Sequence, residues 1–302
     1  MGYETLLQEI TLADERFLVM TAENRAVIRN LPAVLGPRFI DTGITEQAMI
    51  GMAAGLALRG RVPVVHALAV FLTMRAFEFV RTDVGLPGLP VKLVGGVPGF
   101  LSTANGPTHQ AIEDVALMRG IPNLYVFCPA DEQDMLIGLR SVLHSPNPFY
   151  IRFNAEPAAM AHDPNFEIGR AEVISGGSDV TLLVYGMLFA QALEAKTILE
   201  RQGLSVRLVN LRTLKPIDEG VIVRAAEETR LLVTLEDHLI TGGLFSVLSE
   251  VLVQREVMAP VLPLALRDRW FRPATLDQVL TCEGFTGPQI AEKVARKLAW
   301  MD

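Results

Sequence analysis

The chain predicts an α/β architecture of two successive doubly wound domains, each built on a mostly parallel sheet. Three observations carry this expectation. Short β-rich apolar runs recur along the 302 residues, and each is followed by a longer helical pattern, the signature of parallel βαβ units. A polar, loop-like stretch, FNAEPAAMAHDPNFEIGRAEVISGGSDV, interrupts the alternation near the middle. Half of the residues are apolar and 20% are charged, enough to bury two ordinary cores.

Taken in order, the opening MGYETLLQEITLADERF reads as a helix; its acidic residues stand where a secretory leader would need a basic head. Strands are expected over 17–20, 62–68, 91–94, 124–127 and 149–152, with helices over 46–58, 72–82, 110–119 and 132–143. The helix over 46–58 is apolar almost all round, so it is expected to be buried. Its small residues Gly51, Ala53, Ala54 and Gly55 let another backbone approach closely. The second half reads as strands over 180–185, 205–210, 231–235 and 261–265, and helices over 189–200, 219–228, 243–253 and 287–300. Domains are therefore expected at 1–160 and 176–302, with 161–175 as linker.

Composition excludes several roles. The net charge is −7 and no basic cluster could track a phosphate backbone, so no nucleic-acid partner is expected. The apolar runs fall well short of the roughly twenty residues of a membrane span. Two cysteines, Cys128 and Cys282, make no disulfide framework, which points to a reducing compartment and a cytoplasmic protein.

The most informative segment runs from Arg38 through Glu46 into GMAAGLALRGRVPVV. Burying an ionised acid is unfavourable unless it is paired, so Glu46 at the start of an apolar helix has two readings. Either Thr45 caps the helix and Glu46 complements its positive end, or Glu46 is a functional acid. His109 follows a Gly106-Pro107 turn of the kind that exposes side chains at the end of an α/β sheet, where ligands bind. By residue type alone it is more often a polar surface or satisfied core histidine. His66, His144 and His162 show no metal-ligand spacing.

The run RFIDTGITEQAMIGMAAGLALRG resembles the pyrimidine-binding domain of thiamine-diphosphate enzymes of the transketolase family. The likeness continues through AVFLTMRAFEFVRTDVGLPGLPVKLVG, GPTHQAIEDVALMRGIPN and PADEQDM, and resumes at DVTLLVYG, LRTLKPID and LEDH with TGGL. It covers essentially the whole chain and corresponds to the carboxy-terminal half of a transketolase. The family's GDG motif, which with a later Asn holds a divalent metal on the diphosphate, is absent from the sequence. The resemblance thus implies thiamine diphosphate and Mg²⁺ as cofactors, with the metal ligands on a separate diphosphate-binding subunit in an α₂β₂ assembly.

By the same resemblance, Glu46 shares a proton with the pyrimidine ring nitrogen, Phe71 stacks on that ring, and His109 contacts substrate hydroxyls. His238 matches a family segment in the small third domain and is given a structural role. Asn105 stands where the family has an Asp; it keeps hydrogen bonding to a hydroxyl without ionising. Arg152 matches a family phosphate-binding Arg, whereas Val27 and Val97 align with a Ser and a His of the same phosphate pocket, and Leu68 with a second aromatic. The implied reaction passes a two-carbon ketol unit from a ketose to an acceptor, either a sugar other than an ordinary aldose phosphate or a carrier-protein arm. Alternatives are a 2-oxoacid dehydrogenase beta subunit, a deoxyxylulose-phosphate-synthase-like enzyme, and a non-catalytic relative.

Overall fold

A computed structural model describes residues 2–103 and 105–301. Its strands are β1 (Phe17–Thr21), β2 (Phe39–Asp41), β3 (Val62–Leu68), β4 (Lys92–Gly96), β5 (Tyr125–Phe127), β6 (Phe149–Arg152), β7 (Glu172–Ser175), β8 (Val180–Val184), β9 (Val206–Asn210), β10 (Thr213–Lys215), β11 (Leu231–Leu239) and β12 (Val261–Leu266). The first sheet has the order β10-β5-β6-β4-β3-β1-β2 and the second β12-β11-β8-β9-β7. All neighbours are parallel except β10 against β5 and β7 against β9. Helices cover both faces, as the near-continuous apolar strands require. No helix among the described residues is long and apolar enough to cross a membrane.

The division between the sheets is less simple than the sequence implied. Strand β10 leaves the second half of the chain and seals the edge of the first sheet, covering backbone groups that β5 would otherwise expose. Residues 172–175, expected in a linker, instead form β7 of the second sheet. The segment before it is tied down by His162, which bridges Glu172 and Asp131 at 2.8 Å each. One buried apolar cluster runs from Val126 and Tyr150 in the first sheet, with Cys128 just beyond β5, to Leu183, Val209 and Leu248 in the second half, so the two cores are continuous.

Local chemistry explains the helix boundaries. Asp131 and Asp218 accept backbone N–H groups at the starts of Glu132–His144 and Glu219–Glu228, and Thr275 and Gln278 form a capping box before Leu276–Glu283. The segment expected as one helix over 72–82 is wider than an α-helix. It consists of π turns at Phe71–Arg75 and Val80–Gly85 around a single α turn, Phe77–Phe79. The helix expected from 110 begins at Asp114, because Ser102 Oγ holds the carbonyl of His109 at 2.7 Å in a loop.

Candidate active site

Strands β1, β2 and β3 are neighbours and end on the same side of the first sheet, the side on which ligands bind in open α/β folds. The strand ends and the connections after them line an open pocket of about 450 Å³: Ala22, Glu23 and Asn24 after β1, Ile44 and Glu46 after β2, Leu68 at the end of β3 and Phe71 after it. Asp41 ties two of these loops together. Its carboxylate accepts from the backbone N–H of Gly43 at 2.9 Å and of Glu23 at 3.2 Å, and from Arg25 Nε at 2.6 Å.

Glu46 opens the Glu46–Leu58 helix and is 2% exposed. Thr45 occupies the cap position, but its hydroxyl donates back to the Thr42 carbonyl at 2.8 Å instead of accepting from the helix. The capping reading of this turn is thereby corrected: the loop itself consumes the hydroxyl. Glu46 Oε2 accepts from Arg75 Nη1 at 3.0 Å. Oε1 has no hydrogen-bond partner among the described residues. Contrary to the expectation from its composition, the helix is not buried all round. Its inner face carries Met49, Ile50, Ala53, Ala54 and Ala57, while Met52 is 46% and Leu58 71% exposed.

Phe71 forms part of the pocket wall, and the half-buried His109 ring meets it edge-on with centroids 5.2 Å apart. Thr108 Oγ1 pairs with His109 Nδ1 at 2.9 Å, which leaves Nε2 without a protein partner among the described residues. Asn105 is exposed on the same loop, next to Gly106, whose φ of +76° needs glycine. The fold thus gathers Glu46, Phe71 and His109, which lie far apart in sequence.

Arg152 is a correction. The resemblance implied a phosphate ligand, but its side chain is 3% exposed between two fully buried carboxylates. Nε donates to Asp114 Oδ2 at 2.8 Å and Nη1 to Asp237 Oδ1 at 2.7 Å, and Tyr150 donates to the same Asp114 oxygen at 2.6 Å. Asp237 lies on β11, so Nε and Nη1 join the two halves of the chain, while Nη2 is buried without a hydrogen-bond partner among the described residues. At Gly99 an added Cβ would lie 1.8 Å from Asp237 Oδ2, so the backbone there packs too closely for any other residue. His238 joins the same seam. Its Nδ1–H donates to the Leu239 carbonyl at 2.5 Å, Nε2 accepts from Ala116 N–H at 3.3 Å, and burial holds its pKa below the ordinary imidazole value.

Val27 is half-buried and packs against the core with Ile28 and Leu31. Val97 is 38% exposed just beyond β4, with φ +47°, an uncommon conformation for a β-branched residue. Sequence reasoning missed Arg75 and Asp41. The four-residue spacing of Phe71 and Arg75 on one helical face was the available signal for the first; Asp41 gave none.

A flat wall at Phe71 and an acid with one uncommitted oxygen mark an α/β protein with an open pocket at its strand ends. A family profile described as "Transketolase, pyrimidine binding domain" matches residues 1–157, and one described as "Transketolase, C-terminal domain" matches residues 169–290. A 6-deoxy-6-sulfo-D-fructose transketolase subunit from Clostridium sp. (strain MSTE9) is 34% identical over 95% of this chain and 90% of its own length. A 1-deoxy-D-xylulose-5-phosphate synthase from Dictyoglomus thermophilum is 36% identical over 85% of this chain, which spans 42% of that enzyme. Among solved structures, one titled "Split gene transketolase, inactive beta4 tetramer" is 35% identical and superposes with a TM-score of 0.89 over 98% of this chain and 97% of its own. A Pichia stipitis transketolase, 18% identical with a TM-score of 0.79 over 99% of this chain and 46% of its own, shares the fold. The chain belongs to the transketolase family and corresponds to its carboxy-terminal half, and the family's dependence on thiamine diphosphate comes with that membership.

Proposed function

We propose that this chain is the pyrimidine-binding subunit of a cytoplasmic, thiamine-diphosphate- and Mg²⁺-dependent split transketolase, joined to a diphosphate-binding subunit as α₂β₂. The observation that carries the reading is Glu46, buried and anchored through Oε2, with Oε1 left for a ring nitrogen beside the Phe71 wall. What the bound cofactor contributes is a carbon nucleophile that adds to a ketose carbonyl and carries a two-carbon unit. Glu46 holds the proton shared between Oε1 and the ring nitrogen. Phe71 fixes the plane of the ring, and His109 offers Nε2 to a substrate hydroxyl, with Asn105 exposed nearby as a second polar contact.

The diphosphate and its metal need another seat. Among the described residues, Asp134, His162 and Glu172 form a close group of ligand-type side chains, but Arg212 already neutralises it, with Nε 2.7 Å from Asp134 and Nη2 3.2 Å from Glu172. Hard oxygen ligands for Mg²⁺ are therefore assigned to the partner.

Burial of Arg152 bears on the acceptor. With Val27 and Val97 apolar and Arg152 enclosed, the three groups expected around an acceptor phosphate supply no contact to one. The acceptor is accordingly a sugar other than an ordinary aldose phosphate, or a carrier-protein arm held elsewhere. The Clostridium relative, whose name specifies a sulfo sugar, is a precedent for such a departure. A synthase-like reaction using pyruvate is a second reading, favoured by the identity to the Dictyoglomus enzyme.

The test is to reconstitute the complex and compare kcat/KM for ribose 5-phosphate with that for ribose. A ratio near one supports the reading, since each charge-assisted phosphate contact is worth about 1.5–3 kcal/mol and several acting together give well over a hundredfold. A preference of several hundredfold for the phosphate, or turnover of pyruvate with glyceraldehyde 3-phosphate, overturns it.

A further inference from the structure

We infer that Arg75 is a positioning residue that sets both side chains of the cofactor seat before anything binds there; the inference rests on the pyrimidine-site reading above. One guanidinium makes two contacts. Its Nη1 holds Glu46 Oε2 at 3.0 Å, and its carbon lies 3.9 Å from the centroid of the Phe71 ring. The acid and the aromatic wall are thus coupled through a single group that does not itself line the pocket.

The local backbone is built for this. Phe71–Arg75 is a π turn, closed by the Ala76 N–H on the Phe71 carbonyl at 3.0 Å, and Thr73 Oγ1 anchors it to the Ala69 carbonyl at 2.8 Å. Such turns occur often at functional sites, and this one puts residues four apart on one face. An ion pair between exposed side chains contributes little, and Arg75 is 40% exposed, but its partner is 3% exposed and is the acidic residue of the first helical turn. Without the guanidinium, Glu46 would be a buried acid free to swing toward water, and Phe71 would lose the plane that keeps its ring upright.

Two consequences follow from the geometry. Holding Oε2 leaves Oε1 as the oxygen offered to the pocket, so the direction of the carboxylate is decided before the ring arrives. A planar, delocalised cation can stack and chelate at once, whereas a lysine ammonium keeps the charge and loses the stack.

The test uses the reconstituted complex carrying wild-type chain, Arg75→Met or Arg75→Lys. Calorimetry measures binding of thiamine diphosphate with Mg²⁺, steady-state kinetics measure kcat and KM for xylulose 5-phosphate, and thermal melting is followed for the chain alone. Arg75→Met is expected to weaken cofactor binding about tenfold and lower kcat, from the combined loss of a half-shielded ion pair and a cation–ring contact. The donor KM stays at the wild-type value, the melting temperature falls by no more than about 4 °C because the freed Glu46 carboxylate can turn toward water, and Arg75→Lys recovers part of the loss. Wild-type cofactor affinity in Arg75→Met overturns the inference. So does a loss accompanied by a fall in melting temperature of more than about 4 °C, which would mark a structural role. Failure of the wild-type complex to bind the cofactor would instead refute the pyrimidine-site reading itself.

Discussion

Replacing Arg152 by Met separates the two roles that have been drawn for it. The structure places its guanidinium between Asp114 and Asp237, whose side chains have no exposure, at 2.8 and 2.7 Å. A methionine fills much of the volume of the stem but leaves two carboxylates facing each other in a dry seam. Breaking a buried pair in this way is destabilising by about 3–5 kcal/mol, because the remaining charges are uncompensated. For a chain of this size that corresponds to a fall in melting temperature on the order of 10 °C. Differential scanning calorimetry of the chain alone gives the melting temperature. Kinetics of the reconstituted complex, run well below the transition, give KM for phosphorylated and unphosphorylated acceptors. The expected result is a large loss of stability with no selective effect on phosphorylated acceptors. A variant that melts within about 2 °C of wild type while KM rises only for ribose 5-phosphate would show that Arg152 reaches the substrate and that the seam was misread.

Two further outcomes are expected. Glu46→Gln in the complex should lower turnover by roughly two orders of magnitude or more, the scale of a lost acid–base group, with melting unchanged or slightly raised; near-normal turnover would refute the assignment. The His162 network should make stability pH-dependent in a defined window. Its carboxylate partners raise the His162 pKa against burial, from 6.5 to about 10, so its contribution is complete below 6.5 and fades as pH rises through 10. Glu172 is held down, from 4.5 to about 2, by hydrogen bonds from His162, Asp163 and Asn210 and by Arg212, so its share is complete above 4.5 and fades as pH falls through 2. Urea denaturation of wild type and His162→Gln across pH 3–10 should show the largest difference between about 4.5 and 6.5; a difference that grows toward pH 9 would contradict the network.

Much of the architecture was legible locally. The Glu46–Leu58 and Glu219–Glu228 helices and the β3 and β6 strands lie where the pattern put them, because apolar periodicity and turn residues are properties of a few neighbouring positions. The short strands β2, β7 and β10 were not legible. Three or four residues carry too little periodicity, and each exists because a distant partner supplies its hydrogen bonds: β10 pairs with β5 across almost ninety residues of chain. The π turns escaped for a related reason, since their sequence satisfies a helical pattern and the extra width shows only in the backbone.

The candidate site divides along the same line. Glu46, Phe71 and His109 stood out because unusual residue types sat within motifs resembling a known family, and residue type is written in the sequence. The role of Arg152 was not readable there, because a guanidinium takes phosphate or carboxylate with equal chemistry. The choice was made by Asp114 and Asp237, 38 and 85 residues away, closing over it. Arg75 is the converse. Its spacing from Phe71 marks only a shared helical face, and it is the packing of the Phe71–Arg75 turn against the start of the Glu46 helix that turns a half-exposed arginine into the neighbour of both an acid and a ring. Sequence thus determines which chemistry each residue has available. Only the tertiary structure decides on which partner it is spent, because side-chain charge is satisfied by whatever the fold brings within about 3 Å and excludes from water.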